Sequence, residues 1–378
     1  MTIGILKEPA EEKRVVMLPE IVGQLVKMNV KVKLESGAGN GAMVSDDEYK
    51  TVGASITTKE DVLTTSNLVT RINTVTNEDI SKIPSATVLV NVFQPLFNKE
   101  IVMALLNKNI TSFSMDMIPR TTRAQAMDIL SSQATAAGYK AVLVAATNLP
   151  KFFPMFMTAA GSIVPAKVLI IGAGVAGLQA IATAKRLGGV VEVFDTRAAV
   201  KEEVKSLGAK FIEVEGAADS SAAGGYAVEQ SNEFLDRQKQ KIHESASKSD
   251  VIITTAQIPG RKAPVLITTQ TVETMRAGSV IVDLAASTGG NCELTKNNET
   301  IVHKGVTIIG NSYLPSTIPA DASKMFGKNV LNFLKLIIDK EGNLNLNFED
   351  DIVKGSCITH NKEINHPKVK ESITTQTA

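Results

Sequence analysis

The run Val168-Leu-Ile-Ile-Gly172-Ala-Gly174-Val-Ala-Gly177-Leu-Gln-Ala-Ile181 constrains the fold more than any other stretch of the chain. From Val168 to Ala184 it carries no charged residue, with Gln179 its most polar position, and its glycines fall in a GxGxxG spacing. A membrane span is one reading, but the run is about 17 residues, the lower limit for crossing a bilayer, and it carries three glycines. A buried strand followed by a close-packed helix explains it better. The first glycine permits a tight turn, the second lets backbone approach a pyrophosphate, and the third lets helix pack on strand; the helix N-terminus adds N–H donors and a positive dipole end. Gly172, Gly174 and Gly177, with Val175 and Ala176 at the helix start, are therefore candidate dinucleotide-binding residues. A purely structural glycine turn is the bland alternative. Asp195 argues against it, because it ends the next strand about 20 residues on, where a carboxylate accepts hydrogen bonds from an adenosine ribose. Asp195 also favours NAD over NADP, since a 2′-phosphate would meet a carboxylate. Arg197, two residues on, offers that phosphate a guanidinium, so both readings stay open at this point.

The chain of 378 residues exceeds the roughly 250 at which single cores stop growing, so two domains are expected. Its 40 Lys+Arg balance 39 Asp+Glu, and it has no Trp and 4 Tyr, which argues against a nucleic-acid partner. Two cysteines, Cys292 and Cys357, supply neither a disulfide framework nor a thiolate site, and the four histidines form no ligand pattern, so no metal is expected. Met1 to Lys13 resembles neither a secretory nor a transit signal.

Short Val-, Ile- and Thr-rich runs at 2–6, 30–34, 68–72, 86–93 and 110–115 alternate with helix-like stretches. One of these opens at the capping box Ser45-Asp-Asp-Glu48, another after Asn98. Such alternation predicts a parallel sheet covered on both faces. One long helix is expected from Thr122 to about Leu149. A second βα series follows, with strands at 168–171, 191–194, 210–212, 250–255, 279–284 and 306–309, predicting a six-strand open sheet. Residues 215–229 read as a mobile surface loop. A helix is expected over 321–339, returning to the first domain, and His360 to Ala378 read as frayed. The fold expected is α/β, with two doubly wound parallel-sheet domains joined by long helices: residues 1–135 plus 318–378, and a Rossmann dinucleotide-binding domain at 136–317.

A second constellation is Arg120-Thr-Thr-Arg-Ala-Gln125-Ala-Met-Asp128-Ile-Leu-Ser131. Gln125, Asp128 and Ser131 are spaced by three and would share one helix face, with Arg120 preceding them. A solvated face with an ion pair and a polar patch holding a nicotinamide at an interdomain cleft are equally compatible with that spacing.

Taken with ESGAGNGA (35–42), PRTTRAQAMDILSSQ (119–133), AGYKAV (137–142), FDTRAAVKEEV (194–204), GGYA (224–227), TTAQIPGRKAPVLIT (254–268) and VDLAASTGGNCE (282–293), the sequence resembles the NAD(H)-binding domain of proton-translocating NAD(P) transhydrogenases and, more distantly, alanine dehydrogenase. The resemblance implies a homodimer that binds NAD(H), a partner domain carrying NADP(H), and membrane segments supplied elsewhere. The chain would then be soluble and peripheral to a membrane, facing the cytoplasm or mitochondrial matrix. It places nicotinamide-side roles on Arg120, Gln125, Asp128 and Ser131, and adenosine-side roles on Val175, Asp195, Thr196 and Arg197. Further contacts on that adenosine side would come from Gly225, from Gln238 and from the Ala256-Gln257 turn, with the mobile loop around Gly225 and Tyr226 closing over NAD. Gln257 and Arg261-Lys262 depart from the family's pattern.

Making alanine from pyruvate requires proton transfers, and alanine dehydrogenases resemble a site with a Lys and a His near the substrate. Those positions align with Asn73 and Gln94 here, neither of which titrates. Hydride exchange between NADH and NADP⁺ needs positioning and dryness rather than an acid or base. Transhydrogenase chemistry is thus the expected activity. The rivals are a soluble amino-acid dehydrogenase and a non-catalytic NAD-binding module.

Overall fold

The computed structural model describes residues 1–214, 231–258 and 260–374. The chain divides into two compact units, Met1–Gln133 with Pro315–Ala378, and Ala134–Leu314. The strands run in chain order as β1 (Thr2–Ile5), β2 (Lys31–Glu35), β3 (Ser55–Thr57), β4 (Leu68–Thr70), β5 (Val88–Asn91), β6 (Thr111–Ser114), β7 (Phe156–Thr158), β8 (Gly161–Ile163) and β9 (Lys167–Ile171). They continue as β10 (Val190–Phe194), β11 (Lys210–Ile212), β12 (Val251–Thr254), β13 (Val280–Asp283), β14 (Thr300–His303), β15 (Val306–Ile309), β16 (Cys357–His360) and β17 (Glu363–Ile364).

In the first unit the strand order is β3-β2-β1-β4-β5-β6-β16-β17, with β1 to β6 parallel and the last two antiparallel. In the second it is β11-β10-β9-β12-β13-β15-β14, parallel except at β14. Both orders reverse direction once, between β1 and β4 and between β9 and β12, which is the doubly wound arrangement. Side-chain alternation explains why these strands are apolar throughout. Val168 and Ile170 enter one core with Ala180 and Ile181, whereas Leu169 and Ile171 enter another with Ile242 and Ile252. Each of the Val, Leu and Ile side chains contributes about 1.5–3 kcal/mol of burial. The stretch Val168–Ala184 is therefore a strand and a helix, Val175–Arg186, and no helix among the described residues is long and apolar enough to cross a membrane.

The capping box forms as the sequence indicates: Glu48 N donates to Ser45 Oγ, and Ser45 N to Glu48 Oε2. Other expectations need correction. The single helix from Thr122 to Leu149 is a 3₁₀ segment, Thr122–Met127, then an α-helix, Ile129–Asn148. Asp128 stands between them in extended backbone (φ −75°, ψ 93°), and its carboxylate accepts from Ser131 N at 3.0 Å and Ser131 Oγ at 2.6 Å. That is N-cap chemistry, which ends one helix and starts the next. The second sheet has a seventh strand, β14, whose half-exposed alternation (Thr300, Ile301, Val302, His303) gives no apolar run. The strand β3 and the hairpin β7–β8 are likewise too short or too exposed to read from sequence.

The tail from His360 is not frayed over the described residues. β17 pairs with β16, and a helix covers Pro367–Thr374. Val369 and Ile358 are buried against Val102, which supplies the ordering force. His366, at the start of that helix, has its pKa lowered from 6.5 by burial and by the Lys368 charge, and its Nδ1 is buried with no partner among the described residues. His360, whose ring packs tilted against Phe348, is also lowered by burial. A lowered folded-state pKa means that the unfolded chain binds more protons, so this stability is present above the ordinary histidine pKa and is lost as pH falls below it. Glu8 and Asp116, raised by burial, act oppositely, gaining stability as they protonate. A His366→Asn variant isolates the histidine: its melting temperature should fall less than the wild type's between about pH 7.5 and about pH 5.5. Equal slopes would remove His366 from the account.

Candidate functional site

In the second unit the glycine turn lies at the carboxyl edge of β9. Gly172 has φ +97°, and a Cβ there would meet Thr255 Oγ1 at 2.4 Å. Its N–H donates to Phe194 O at 2.8 Å, which ties the turn to β10. A Cβ on Gly177 would lie 1.8 Å from Gly172 O, so only glycine lets the helix start that close to the strand. Gly174 is different: a Cβ there would meet nothing within 4 Å. No internal contact requires glycine at 174, so the space beside it is open. Gly174 is also the N-cap of the helix and provides no capping side chain. The helix therefore begins with the N–H groups of Val175, Ala176 and Gly177, for which it supplies no acceptor of its own. Gly138, on the Ile129–Asn148 helix, would carry its Cβ 2.1 Å from Ala176 O, a second tight contact that seats this helix start.

Asp195 follows β10, and its carboxylate is already engaged. Oδ2 accepts from Ala173 N at 2.7 Å and from the Arg197 guanidinium at 2.7 Å, while Oδ1 accepts from Arg197 N at 2.8 Å and Nε at 2.9 Å. These hydrogen bonds to Asp195 raise the Arg197 pKa further. The two residues that compete in the sequence as ribose and phosphate ligands thus form a single ion pair. A ribose hydroxyl reaching Asp195 must share or displace Arg197, and the pair carries no net charge with which to repel a phosphate. Thr196 sits between them, partly buried. Gln238, on the helix Asn232–Ala246, is buried, and its Oε1 has no partner among the described residues. Ala256 and Gln257 form the turn after β12, at the carboxyl edge beside Gly172. Gly225 and Tyr226 lie outside the described residues.

Arg120, Gln125, Asp128 and Ser131 all belong to the first unit. Asp128 and Ser131 are brought together by the cap described above. Gln125 is exposed on the 3₁₀ segment and does not share a continuous helix face with them, and Arg120 is exposed before it. The segment rests on residues the sequence did not single out. Arg123 pairs bidentately with Asp350 at 2.6 and 2.8 Å, and Ala126 O accepts from Asn329 and Asn332 at 2.8 and 3.1 Å. No local pattern announces these partners, because they lie some two hundred residues away in the chain.

The Asn73 position lies at the strand-order reversal of the first unit. Its N–H and Nδ2 both donate to Glu8 Oε2, at 3.1 and 3.0 Å, and its carbonyl accepts from Arg71 Nε and Asn91 Nδ2 at 3.1 and 2.9 Å. Glu8 also accepts from Ile72 N. Most polar groups of that crevice are committed to one another, although Asn91 Oδ1 is buried with no partner among the described residues. Gln94 is exposed, with φ +48°.

Strand, glycine turn, helix and an acidic residue after the second strand, at the reversal of a doubly wound sheet, define a Rossmann-type dinucleotide-binding protein. Comparison with known proteins agrees. The family model for the alanine dehydrogenase/PNT N-terminal domain matches residues 4–137, and that for its C-terminal domain matches 141–367. The chain belongs to the alanine dehydrogenase/PNT family. It is 46% identical to the first part of the NAD(P) transhydrogenase subunit alpha of Rhodospirillum rubrum, over 97% of this chain and 98% of that protein. It is 26% identical to an alanine dehydrogenase of Mycolicibacterium smegmatis, over 90% and 88%. Among solved structures, a transhydrogenase from Sinorhizobium meliloti matches with a TM-score of 0.85 at 38% identity, covering 97% of this chain and 99% of that one. An L-alanine dehydrogenase shares the fold at a TM-score of 0.82 and 23% identity, over 99% of each chain.

Two of the three glycines separate experimentally. Gly177→Ala should cost about 2 kcal/mol or more, because backbone must move. Gly174→Ala should cost about 1 kcal/mol or less, the N-cap preference alone. Thermal or denaturant unfolding measures both, and equal losses would contradict the assigned roles.

Proposed function

We propose that this chain is the NAD(H)-binding component of a proton-translocating NAD(P) transhydrogenase. NADH bound on the second unit gives its hydride to NADP⁺ held on a partner domain, and separate membrane segments couple the transfer to proton flow. The observation that carries this reading is the glycine turn, with its unfilled space at Gly174, in a chain alike over nearly its whole length to a transhydrogenase subunit alpha. Gly172, Gly174, Val175, Ala176 and Gly177 would cradle the pyrophosphate. Asp195, Thr196, Arg197, Gln238, Ala256 and Gln257 would hold the rest of the nucleotide, with Gly225 and Tyr226 contributing as the resemblance implies. Arg120, Gln125, Asp128 and Ser131 would orient the nicotinamide. Against the amino-acid dehydrogenase reading stand Asn73, which cannot titrate, and Glu8, which can but is spent on the N–H groups of Ile72 and Asn73.

Hydride transfer requires the two nicotinamides to approach to about 3–3.5 Å, so placement governs rate more than affinity. Gln125→Asn keeps the amide and shortens its reach. With an NADP(H)-binding partner added, NADH-dependent reduction of NADP⁺ by this variant should slow about tenfold to a hundredfold, while NADH affinity changes less than about threefold. An unaltered rate with intact partner binding would assign Gln125 to a solvated face. Steady alanine formation from pyruvate and ammonia by the wild-type chain, at about 1 per second or faster, would replace the whole reading by the dehydrogenase one.

A homodimer belongs to the proposal, and the hairpin β7–β8 supports it. Every residue of both strands is exposed. Phe152 and Phe156 pack edge to face at 4.6 Å, and Met155, Met157 and Val164 are 61%, 76% and 69% exposed. An isolated two-stranded hairpin is marginal in water, and a contiguous apolar patch marks an interaction surface. A second copy of the chain is the occupant we propose. Met157→Asp combined with Val164→Asp should convert a dimer to a monomer by light scattering while NADH binding persists; a wild-type chain that is already monomeric at micromolar concentration contradicts it.

A further inference from the structure

Asp283 ends β13 and is fully buried, yet the bonds that hold its carboxylate come from neutral groups. Oδ1 accepts from Thr254 Oγ1 and Ala285 N, both at 2.9 Å. Oδ2 accepts from Asn291 N at 2.7 Å, Cys292 N at 3.0 Å and Thr295 Oγ1 at 2.7 Å. Of these five donors, four come from the loop 285–295 and hold it in a single conformation, and the fifth, on Thr254, ties the carboxylate to β12, since leaving any of them unpaired would be costly. What that loop presents is Asn291, also fully buried. Its Oδ1 accepts from Ala256 N at 3.0 Å, and its Nδ2 donates to Ala256 O at 2.9 Å and Pro264 O at 2.8 Å. Both backbone groups of Ala256 are thus held by one side chain, as a neighbouring strand would hold them. One residue earlier, Thr255 is fastened to the other side: its N–H donates to Ile171 O at 2.8 Å and its Oγ1 to Gly172 O at 3.0 Å. The tip, half-buried at Ala256 and exposed at Gln257, therefore stands on a buried polar footing, at the carboxyl edge of the sheet reversal.

We infer that Asn291, held by Asp283, is a positioning residue for the nicotinamide half of the dinucleotide, acting through the Ala256-Gln257 turn. The inference rests on the dinucleotide reading given above. In a doubly wound sheet each half takes one nucleotide, and the turn after β12 belongs to the half opposite Asp195 rather than to the adenosine side that the resemblance implies. Asn291 thereby sets where that turn meets the ligand, while Thr255 alone secures the turn to Gly172. Loss of Asn291 releases Ala256 and Pro264 but leaves the Thr255–Gly172 bond and the adenosine side in place.

NADH and AMP binding to the full chain, measured by calorimetry, test this. Asn291→Ala should weaken NADH about tenfold or more and AMP by less than about twofold, and should change the fluorescence of bound NADH. Ile308→Ala, a buried core truncation on β15, serves as the control for general destabilisation and should leave NADH affinity within about twofold. If Asn291→Ala does not fold, Asn291→Ser, which keeps a small hydrogen-bonding group, should show the same selective loss in weaker form. Unchanged NADH affinity, equal loss of NADH and AMP, or an equal loss in Ile308→Ala overturns the inference. A wild-type chain that fails to bind NADH at all overturns the dinucleotide reading instead.

Discussion

Much of the second unit depends on the absence of one atom. A Cβ on Gly177 would overlap Gly172 O at 1.8 Å, so glycine at that position is what allows the Val175–Arg186 helix to start directly on the end of β9. From that contact the rest follows. The turn can receive Thr255 on Gly172 O, Ala173 N can reach the Asp195 carboxylate, and Ala176 O can take Gly138 against it. Close packing of backbone on backbone tolerates no added methyl group, which is why the motif is strict in residue type rather than in hydrophobicity.

Around that turn the chain uses carboxylates at strand ends to organise loops. Asp283 gathers the 285–295 loop and Asp195 gathers Ala173 and Arg197. In the first unit Glu8 gathers Ile72 and Asn73. A buried carboxylate is unfavourable unless several donors surround it, so each one forces the local backbone to converge. Burial raises the Glu8 pKa in spite of its three hydrogen bonds, which shows desolvation prevailing there.

The two units share the same core strand order, although no sequence repeat links them. Their reversal points are furnished differently. Between β9 and β12 the glycine turn leaves space beside Gly174; between β1 and β4 the space is crossed by Glu8, Arg71, Asn73 and Asn91 bonding to one another. The same architecture thus presents an open crevice edge in one unit and one crossed by side-chain hydrogen bonds in the other.

The sequence by itself determined what short-range physics controls. Apolar runs long enough to be buried strands, the glycine spacing, and the capping box at Ser45 are all local, and the strands β9, β10, β12, β13 and β15 lie where those runs are. The family resemblance, carried by many ordered motifs, was equally legible. Tertiary structure decided whatever depended on distant partners. The break at Asp128 turns on an Asp–Ser cap inside an otherwise helical pattern, and the order of the tail turns on Ile358 and Val369 meeting Val102. The pairing of Asp195 with Arg197 reflects rotamers, not spacing. The footing of Asn291 under Ala256 could not be read at all, because a hydrogen bond between residues far apart in the chain leaves no periodicity in the sequence, and only the folded backbone brings its two ends together.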